Sequence, residues 1–177
     1  MTSSNVIPEF SHAVPLSEIG GKAVHRELSA NEHERAGLAK RFGLTALGRL
    51  SAEVALSSDD IGIVATGSLA ADVIQVCVAS GAPVPAQIAE PFAIRFLAEP
   101  RYEPDTEIEL EVDDCDTMFH DGRVIDLGEA VAQTLALAIN PFPRSPDAED
   151  ILKLAGVKGE HDTGPFAALA ALRKGAD

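Results

Sequence analysis

The sequence predicts an α+β fold in which helices accompany a mainly antiparallel, curved sheet or partial barrel. Three observations support this prediction. Apolar and polar residues alternate along several stretches between residues 50 and 112, helix signals occur before and after them, and 46% of the 177 residues are hydrophobic, enough for one core. We expect one domain over 1–177, with a core of about 10–145 and a C-terminal helical tail, 146–177, that packs on the core or is partly mobile.

An N-terminal helix is predicted after residues 6–28, which should form a short strand and a loop because proline and glycine interrupt them. The stretch "SANE" has the spacing of a capping box, in which Ser29 binds the Glu32 amide and Glu32 reaches back. The helix should end near Phe42, because Gly43 can adopt the left-handed conformation after it.

Strands are predicted after this helix because apolar residues recur with a period of two. The alternating stretches are 50–57, 63–78, 88–96 and 106–112. Gly67 within the second stretch indicates a bend or bulge. The "DG" dipeptide at 121–122 predicts a hairpin turn between "TMFH" and "RVI".

A helix near 127–139 is predicted to be buried against the sheet. Asp126 has the position of an N-cap, Glu129 follows at the third position, and an "NP" dipeptide ends the helix. Its polar face is narrow, so most of its surface should be covered. Two short C-terminal helices are predicted, one at 147–156 and one that starts at Pro165 and has one apolar side.

The formal net charge of −14 is distributed unevenly along the chain. Residues 1–50 carry +1 and residues 51–177 carry −15. An acidic surface on residues 51–177 repels a phosphate backbone and attracts a basic protein, which argues against DNA as a partner. An acidic surface that only keeps the protein soluble is the alternative interpretation.

The densest acidic stretch has nine carboxylates between residues 99 and 116. The residues expected to bind a cationic partner there are Glu107, Glu109, Glu111, Asp113 and Asp114. A solvated strand face would explain the same pattern. The stretch lacks the spacing of an EF-hand calcium loop, so we assign no metal to it.

The basic N-terminal helix is the segment that could touch RNA, through Arg26, Arg35, Lys40, Arg41 and Arg49. No aromatic platform for base stacking accompanies these residues, because the chain has one Tyr and no Trp. A solvated helix face is the alternative interpretation.

The stretch "CVASGAPV" at 77–84 raises the question of a thiol or metal site. Tetrahedral zinc needs four nitrogen or sulfur ligands, and Ser80 stands where a second cysteine would complete a C-x-x-C pair. No G-x-S-x-G motif, P-loop or histidine–carboxylate motif occurs. We therefore expect no cofactor, metal or catalytic residue, and interpret Cys77 as a packed thiol in a strand-to-strand turn.

The cellular location predicted from the sequence is the cytoplasm. Two cysteines do not make a disulfide framework, and the N-terminus lacks a basic region followed by an apolar one. The apolar stretches are far shorter than the ~20 residues that span a bilayer, so we expect no contact with the membrane.

Three stretches resemble the YceD family of large ribosomal RNA subunit accumulation proteins: "QVCVASGAPV", "PFAIRF" and "DGRVIDLGEAVAQTLALAINPFPRSP". The closing "GPFAALAALRK" is similar to the alphaproteobacterial type, and the resemblance runs from about Phe10 to Lys174. Many members carry C-x-x-C-L-x-P, from which this chain departs at Ser80 and Gly81, so no thiol-pair or metal role is carried over. The positions that match the family pattern are Cys77, Pro83, Asp126, Leu127, Glu129 and Pro141.

The resemblance implies a non-catalytic factor that supports accumulation or processing of large-subunit ribosomal RNA and assembly of the large subunit. Its implied partner is a ribosomal protein or the pre-ribosomal large subunit, with direct RNA contact left open. The charge split independently favours a basic ribosomal protein. One alternative is a small cytosolic enzyme or a thiol- or metal-dependent regulatory protein, either of which would use Cys77 or the acidic stretch 99–116. Another alternative is a module that docks on a partner through its C-terminal helix.

Overall fold

The computed structural model describes residues 8–20, 23–99 and 116–157, which form seven strands, three α-helices and one short 3₁₀ helix at Leu16–Glu18. A five-stranded sheet has the order β2-β3-β4-β5-β6, and β1 pairs with β7 in a second sheet. The α+β class is confirmed, and the described strands of the larger sheet do not close into a barrel. The strands are β1 Ala13–Pro15, β2 Val24–Ser29, β3 Ala46–Ser58, β4 Ile63–Val76, β5 Pro83–Ala98, β6 Asp116–His120 and β7 Val124–Asp126, and the helices are α1 Glu32–Arg41, α2 Leu127–Ala138 and α3 Ala148–Leu154.

The described residues fall into two compact units. The first unit contains 8–20, 23–75, 85–99 and 116–140, and the second contains 76–84 and 141–157. Both sheets and the first two helices belong chiefly to the first unit, and α3 belongs to the second. The single-domain organisation and the tail at 146–177 stay predictions. No helix among the described residues is long and apolar enough to cross a membrane.

The alternation in β3 is the clearest confirmed prediction. Leu50, Ala52, Val54 and Leu56 are at most 4% exposed, whereas the residues between them are more exposed. The strand pairs antiparallel with β4, in a register that places Leu56 opposite Ala65. One face of this strand therefore supplies the core, because successive side chains point to opposite faces of a sheet.

The bulge predicted at Gly67 is not present in the pairing of β4 with β3, because the register continues through this residue. Gly67 lies opposite Val54, and the register shifts instead between Leu47 and Arg49. A Cβ atom at position 67 would clash with the Glu53 carbonyl oxygen and lie 3.1 Å from Phe92 Cζ. Glycine at position 67 therefore permits the close approach of its neighbours.

The predicted hairpin at 121–122 is also wrong, although a turn is present there. Asp121 Oδ1 accepts hydrogen bonds from the Arg123 and Val124 amides, and Gly122 has a φ of 85°. The strands on either side do not pair with each other. Instead, β6 pairs in parallel with β5, and β7 pairs antiparallel with β1. Turn chemistry is local, but the choice of a strand's partner is not.

The capping box of α1 lies two residues later than predicted. Asn31 is the N-cap, its side chain accepts from the Glu34 amide at 3.1 Å, and Glu34 reaches back to the Asn31 amide at 2.7 Å. Ser29 is instead the last residue of β2 and pairs with Ser51. Gly43 follows the helix with a φ of 66°, which confirms the predicted left-handed residue.

The N-terminal half of α2 is buried as predicted. Leu127, Val131 and Leu135 are at most 1% exposed, and Gly128 lies so close to the Phe10 backbone that a Cβ would be 2.6 Å from its carbonyl oxygen. The expected wide burial fails in the last turn, where Leu137 is 80% exposed. The predicted short helix near 147–156 is confirmed as α3, and the helix predicted from Pro165 lies outside the described residues.

Candidate functional site

The motif residues at the start of α2 join that helix to the N-terminal segment. Asp126 Oδ1 accepts from the amides of His12, Gly128 and Glu129 at 2.8, 2.9 and 3.2 Å, and Oδ2 accepts from Ser11 Oγ at 2.6 Å. The amide of Leu127 donates to the His12 carbonyl at 3.0 Å. Asp126 therefore acts both as an N-cap and as a link to a segment 114 residues away in sequence.

Glu129 links α2 to α1 through Arg41. The two guanidinium nitrogens of Arg41 bind the two Glu129 oxygens at 2.7 and 2.8 Å, and Arg41 also contacts Glu9 at 3.2 Å. This bidentate hydrogen bond lowers the pKa of Glu129, against the opposing effect of burial, and raises the pKa of Arg41. Arg41 is thus held at the surface of the first unit by two carboxylates.

The other residues predicted to face RNA do not all lie on one helix. Arg26 is on β2 and pairs with Glu18 at 2.8 Å, and Arg49 is on β3 and pairs with Asp72 at 3.1 Å. This corrects their assignment to the N-terminal helix.

The remaining two predicted cations do lie on α1, and neither forms an ion pair with a carboxylate of the described residues. Arg35 Nη1 donates to the Ala30 carbonyl oxygen at 2.7 Å. Lys40 is exposed, and no carboxylate of the described residues lies within 4 Å of it. Four of the five predicted cations are therefore already hydrogen-bonded within the chain.

Cys77 lies in the second unit, at the turn between β4 and β5 that the sequence predicted. Its amide donates to the Ala82 carbonyl at 2.8 Å, and the Gly81 amide donates back to the Cys77 carbonyl at 2.9 Å. Gly81 supplies the positive φ of 73° that this tight turn needs. The side chain of Cys77 is only 2% exposed, so the packed thiol is confirmed.

Three hydrogen-bond donors converge on the Cys77 sulfur, a feature that no sequence motif indicated. The Ser145 amide and hydroxyl both donate to Sγ at 3.2 Å, the Ser80 amide donates at 3.4 Å, and the two serine hydroxyls are 3.0 Å apart. The hydrogen bond from the Ser145 hydroxyl is the main cause that lowers the pKa of Cys77 to about 6, against the opposing effect of burial.

Several observations limit what this thiol can do. Ser145 lies in a loop 68 residues from Cys77, and proximity over such a distance is not readable from residue spacing. Hydroxyl groups are poor zinc ligands. Within 8–20, 23–99 and 116–157, no group of three or more His, Cys, Asp or Glu side chains could hold a metal. The arrangement stabilises a thiolate in a closed site and offers a substrate almost no access.

An open groove between β5 and the end of α2 was not predicted. It is lined by the segment 90–93, Asp116, Thr134, Leu137 and Ala138, all of which belong to the first unit. We call it the β5–α2 groove. The exposure of Leu137 is its main apolar feature. The sequence pattern placed this leucine on a buried helix face, so periodicity alone could not reveal the groove.

Comparison with known proteins identifies the family. A family model described as "Large ribosomal RNA subunit accumulation protein YceD" matches residues 65–173, which is more than half of the chain. The chain belongs to the YceD family. No curated protein and no solved structure gives a significant match. YceD is a family of ribosomal RNA accumulation factors and not a known enzyme family, so this chain has a ribosome-related role.

The YceD match covers some of the predicted sites and not others. It includes all six positions of the resembling motifs, from Cys77 to Pro141, and the whole acidic stretch 99–116. It begins after Arg49, so the predicted RNA-facing residues precede it, and the resemblance from Phe10 to residue 64 has no support from the match.

The remaining motif and acidic residues can be placed only in part. Pro83 begins β5 and is exposed, and Pro141 is exposed at the start of the loop that follows α2. Glu107, Glu109, Glu111, Asp113 and Asp114 lie outside the described residues, so their partner-binding role stays a prediction.

Proposed function

We propose that this YceD-family chain is a non-catalytic factor that supports processing of large-subunit ribosomal RNA and assembly of the large subunit by binding a basic ribosomal protein. The observation that carries the proposal is the internal use of its cations. The described residues carry 18 acidic and 9 basic side chains, a net charge of −9. Five of those nine basic side chains are in ion pairs with carboxylates of the chain itself.

This charge arrangement favours a cationic protein over RNA as the direct partner. RNA affinity depends on cations that are free to replace counterions on phosphates, and Arg26, Arg41 and Arg49 are already paired. The unpaired excess is acidic, and it attracts a lysine- or arginine-rich protein and steers its approach. The ribosome-related role then results from holding a ribosomal protein, and contact with RNA is indirect.

A thiol-dependent regulatory role is the second candidate, and the lowered pKa of Cys77 is the observation in its favour. A nucleophilic or metal-binding thiolate must reach its substrate or ligand. The 2% exposure of Cys77 and its three hydrogen-bond donors favour a stabilising role for the thiolate within its turn. The ribosomal proposal therefore does not depend on Cys77 chemistry.

The test is affinity purification of the tagged chain from cells, with and without ribonuclease. We expect basic large-subunit proteins to remain bound after ribonuclease treatment. Neutralisation of the predicted acidic site should remove them, in the variant E107Q/E109Q/E111Q/D113N/D114N. The matched control neutralises five exposed carboxylates elsewhere that are not in ion pairs with described residues, in the variant E27Q/E32Q/E53Q/D60N/E149Q, and should retain the proteins.

Two results would contradict the proposal. One is recovery of ribosomal components only while RNA is intact, which would make RNA the direct partner. The other is recovery of no ribosomal component under either condition. Depletion of the protein provides an independent check, because a subunit profile should then show a selective deficit of the large subunit.

A further inference from the structure

We propose that the β5–α2 groove is the docking site for a basic amphipathic segment of the protein partner. This inference rests on the proposed function and assigns it a surface. The groove combines an apolar wall with carboxylates at its rim. Phe92 is half-buried, Leu137 is 80% exposed, and Glu90 and Asp116 are both exposed.

The apolar part of the groove is a wall that nothing in the described chain covers. Leu137 projects from the last turn of α2, beside Ala138 and across from Pro91, Phe92 and Ala93 on β5. A single exposed leucine is ordinary on a protein surface, but a leucine that forms one side of a groove can be enclosed by an inserted side chain. The wall therefore suits an aliphatic anchor from a partner.

The electrostatics of the groove are negative from three sources. Glu90 and Asp116 contribute carboxylates, and neither forms an ion pair with a basic side chain of the described residues. The last turn of α2 contributes the negative end of the helix dipole, and it contains no basic residue that would offset this potential. Among the described residues, no basic side chain lines the groove.

This combination selects one class of occupant. RNA and anionic lipid both bring negative charge to a negative surface, which is unfavourable. A short segment with lysine or arginine beside leucine-like side chains meets both features, as an anchor enters the groove and the cations face Glu90 and Asp116. Asp116 is also the end of the acidic stretch 99–116, so the predicted acidic site continues along the chain from the groove.

The experiment uses the full chain and two synthetic peptides, one with alternating leucine and lysine and one in which serine replaces leucine. Binding is measured by fluorescence anisotropy. Leu137→Ser should weaken binding of the leucine–lysine peptide about tenfold or more, because it removes the apolar side chain that the bound peptide would bury. The matched control is Leu154→Ser, because Leu154 is 90% exposed on α3, and it should leave the affinity unchanged.

The charge contribution has its own variant pair. E90Q/D116N should weaken binding of both peptides and reduce the dependence of affinity on salt, whereas the exposed pair E27Q/E53Q should do neither. Equal effects of Leu137→Ser and Leu154→Ser would overturn the inference. Absence of binding of the leucine–lysine peptide to the wild type would also overturn it, whatever the melting temperature of Leu137→Ser.

The purification assay separates this inference from the proposed function. If the tagged wild type retains basic ribosomal proteins after ribonuclease and Leu137→Ser loses them, both stand. If Leu137→Ser retains them as Leu154→Ser does, the groove is not the docking surface and the proposed function survives. If the wild type itself retains none, the proposed function fails, and the peptide measurements alone decide the properties of the groove.

Discussion

Asp126 is the residue through which the family motif can be tested as architecture. Its one carboxylate accepts from four donors, two in α2 and two in the N-terminal segment. Replacement by alanine removes the N-cap, worth about 1 kcal/mol. It also removes two hydrogen bonds to a charged acceptor, which are partly replaced by water and together add about 1–2 kcal/mol. We expect Asp126→Ala to lower the free energy of unfolding by about 2–3 kcal/mol.

The assay is urea denaturation followed by far-UV circular dichroism. At an m-value of roughly 2 kcal/mol/M, this loss moves the midpoint down by about 1 M urea or slightly more. Asp126→Asn should lose less, because the amide oxygen still accepts from the helix amides.

Asp147 supplies the matched control for Asp126. It is the N-cap of α3 and also an aspartate, but its side chain makes no capping hydrogen bond. Asp147→Ala should therefore change the free energy of unfolding by only about 0.5 kcal/mol, through the helix dipole. Equal losses for both aspartates would refute the reasoning. So would a stable Asp126→Ala protein that no longer binds ribosomal proteins, because Asp126 would then contact the partner.

Three further predictions concern single side chains. Gly67→Ala should lower the free energy of unfolding by at least about 1–3 kcal/mol in the same urea assay, because the added Cβ meets the neighbouring strand backbone; an unchanged midpoint would contradict the close packing. Arg41→Ala should destabilise the protein by about 1 kcal/mol at neutral pH. Because the pKa of Glu129 is lowered in the folded protein, its ion pair contributes stability at pH values above the ordinary glutamate pKa, and this contribution is lost on acidification. The melting temperatures of wild type and Arg41→Ala should therefore converge at low pH and not stay parallel. Ser145→Ala should raise the pKa of Cys77 from about 6, as measured by thiolate absorbance. It should also remove the stability that the wild type has above the ordinary thiol pKa and loses as the pH falls towards 6. An unshifted titration would show that the serine hydroxyl does not set the pKa.

The sequence predicted best those features that depend on near neighbours. The alternation in β3 translated directly into burial, because Leu50 and Leu56 lie on a strand with one covered face. The cap of α2 at Asp126 and the left-handed Gly43 are equally local, since each depends on residues within a few positions.

Features decided by distant pairing could not be predicted in the same way. Ser29-x-x-Glu32 and Asn31-x-x-Glu34 both have the spacing of a capping box. The structure uses the second one, because Ser29 is paired with Ser51 and the Ala30 amide with the Leu50 carbonyl. In the same way, β6 lies beside the "DG" turn but pairs in parallel with β5, a strand far from that turn in sequence.

The candidate sites show the same limit. The sequence identified Cys77 and its turn, but a loop 68 residues away brings Ser145 to its sulfur. Arg26 and Arg49 were grouped with the N-terminal helix by their place in the sequence, and strand pairing moves them onto the sheet beside acidic residues. Side-chain type and spacing indicate which chemistry is available, and tertiary contacts determine whether that chemistry is already used within the chain.

That distinction bears on where a YceD protein meets its partner. Asp126, Leu127 and Glu129 fulfil their hydrogen-bonding and packing roles inside the first unit, so these residues of the motif specify the fold at the α1–α2 junction. Groups already bonded within the chain have less capacity left for a partner. We therefore expect recognition to involve side chains that the fold leaves unused, among which Leu137 and the unpaired carboxylates are prominent. The motif that identifies the family and the surface that performs its work are, by this argument, different sets of residues, and variants of the two sets should separate stability from binding.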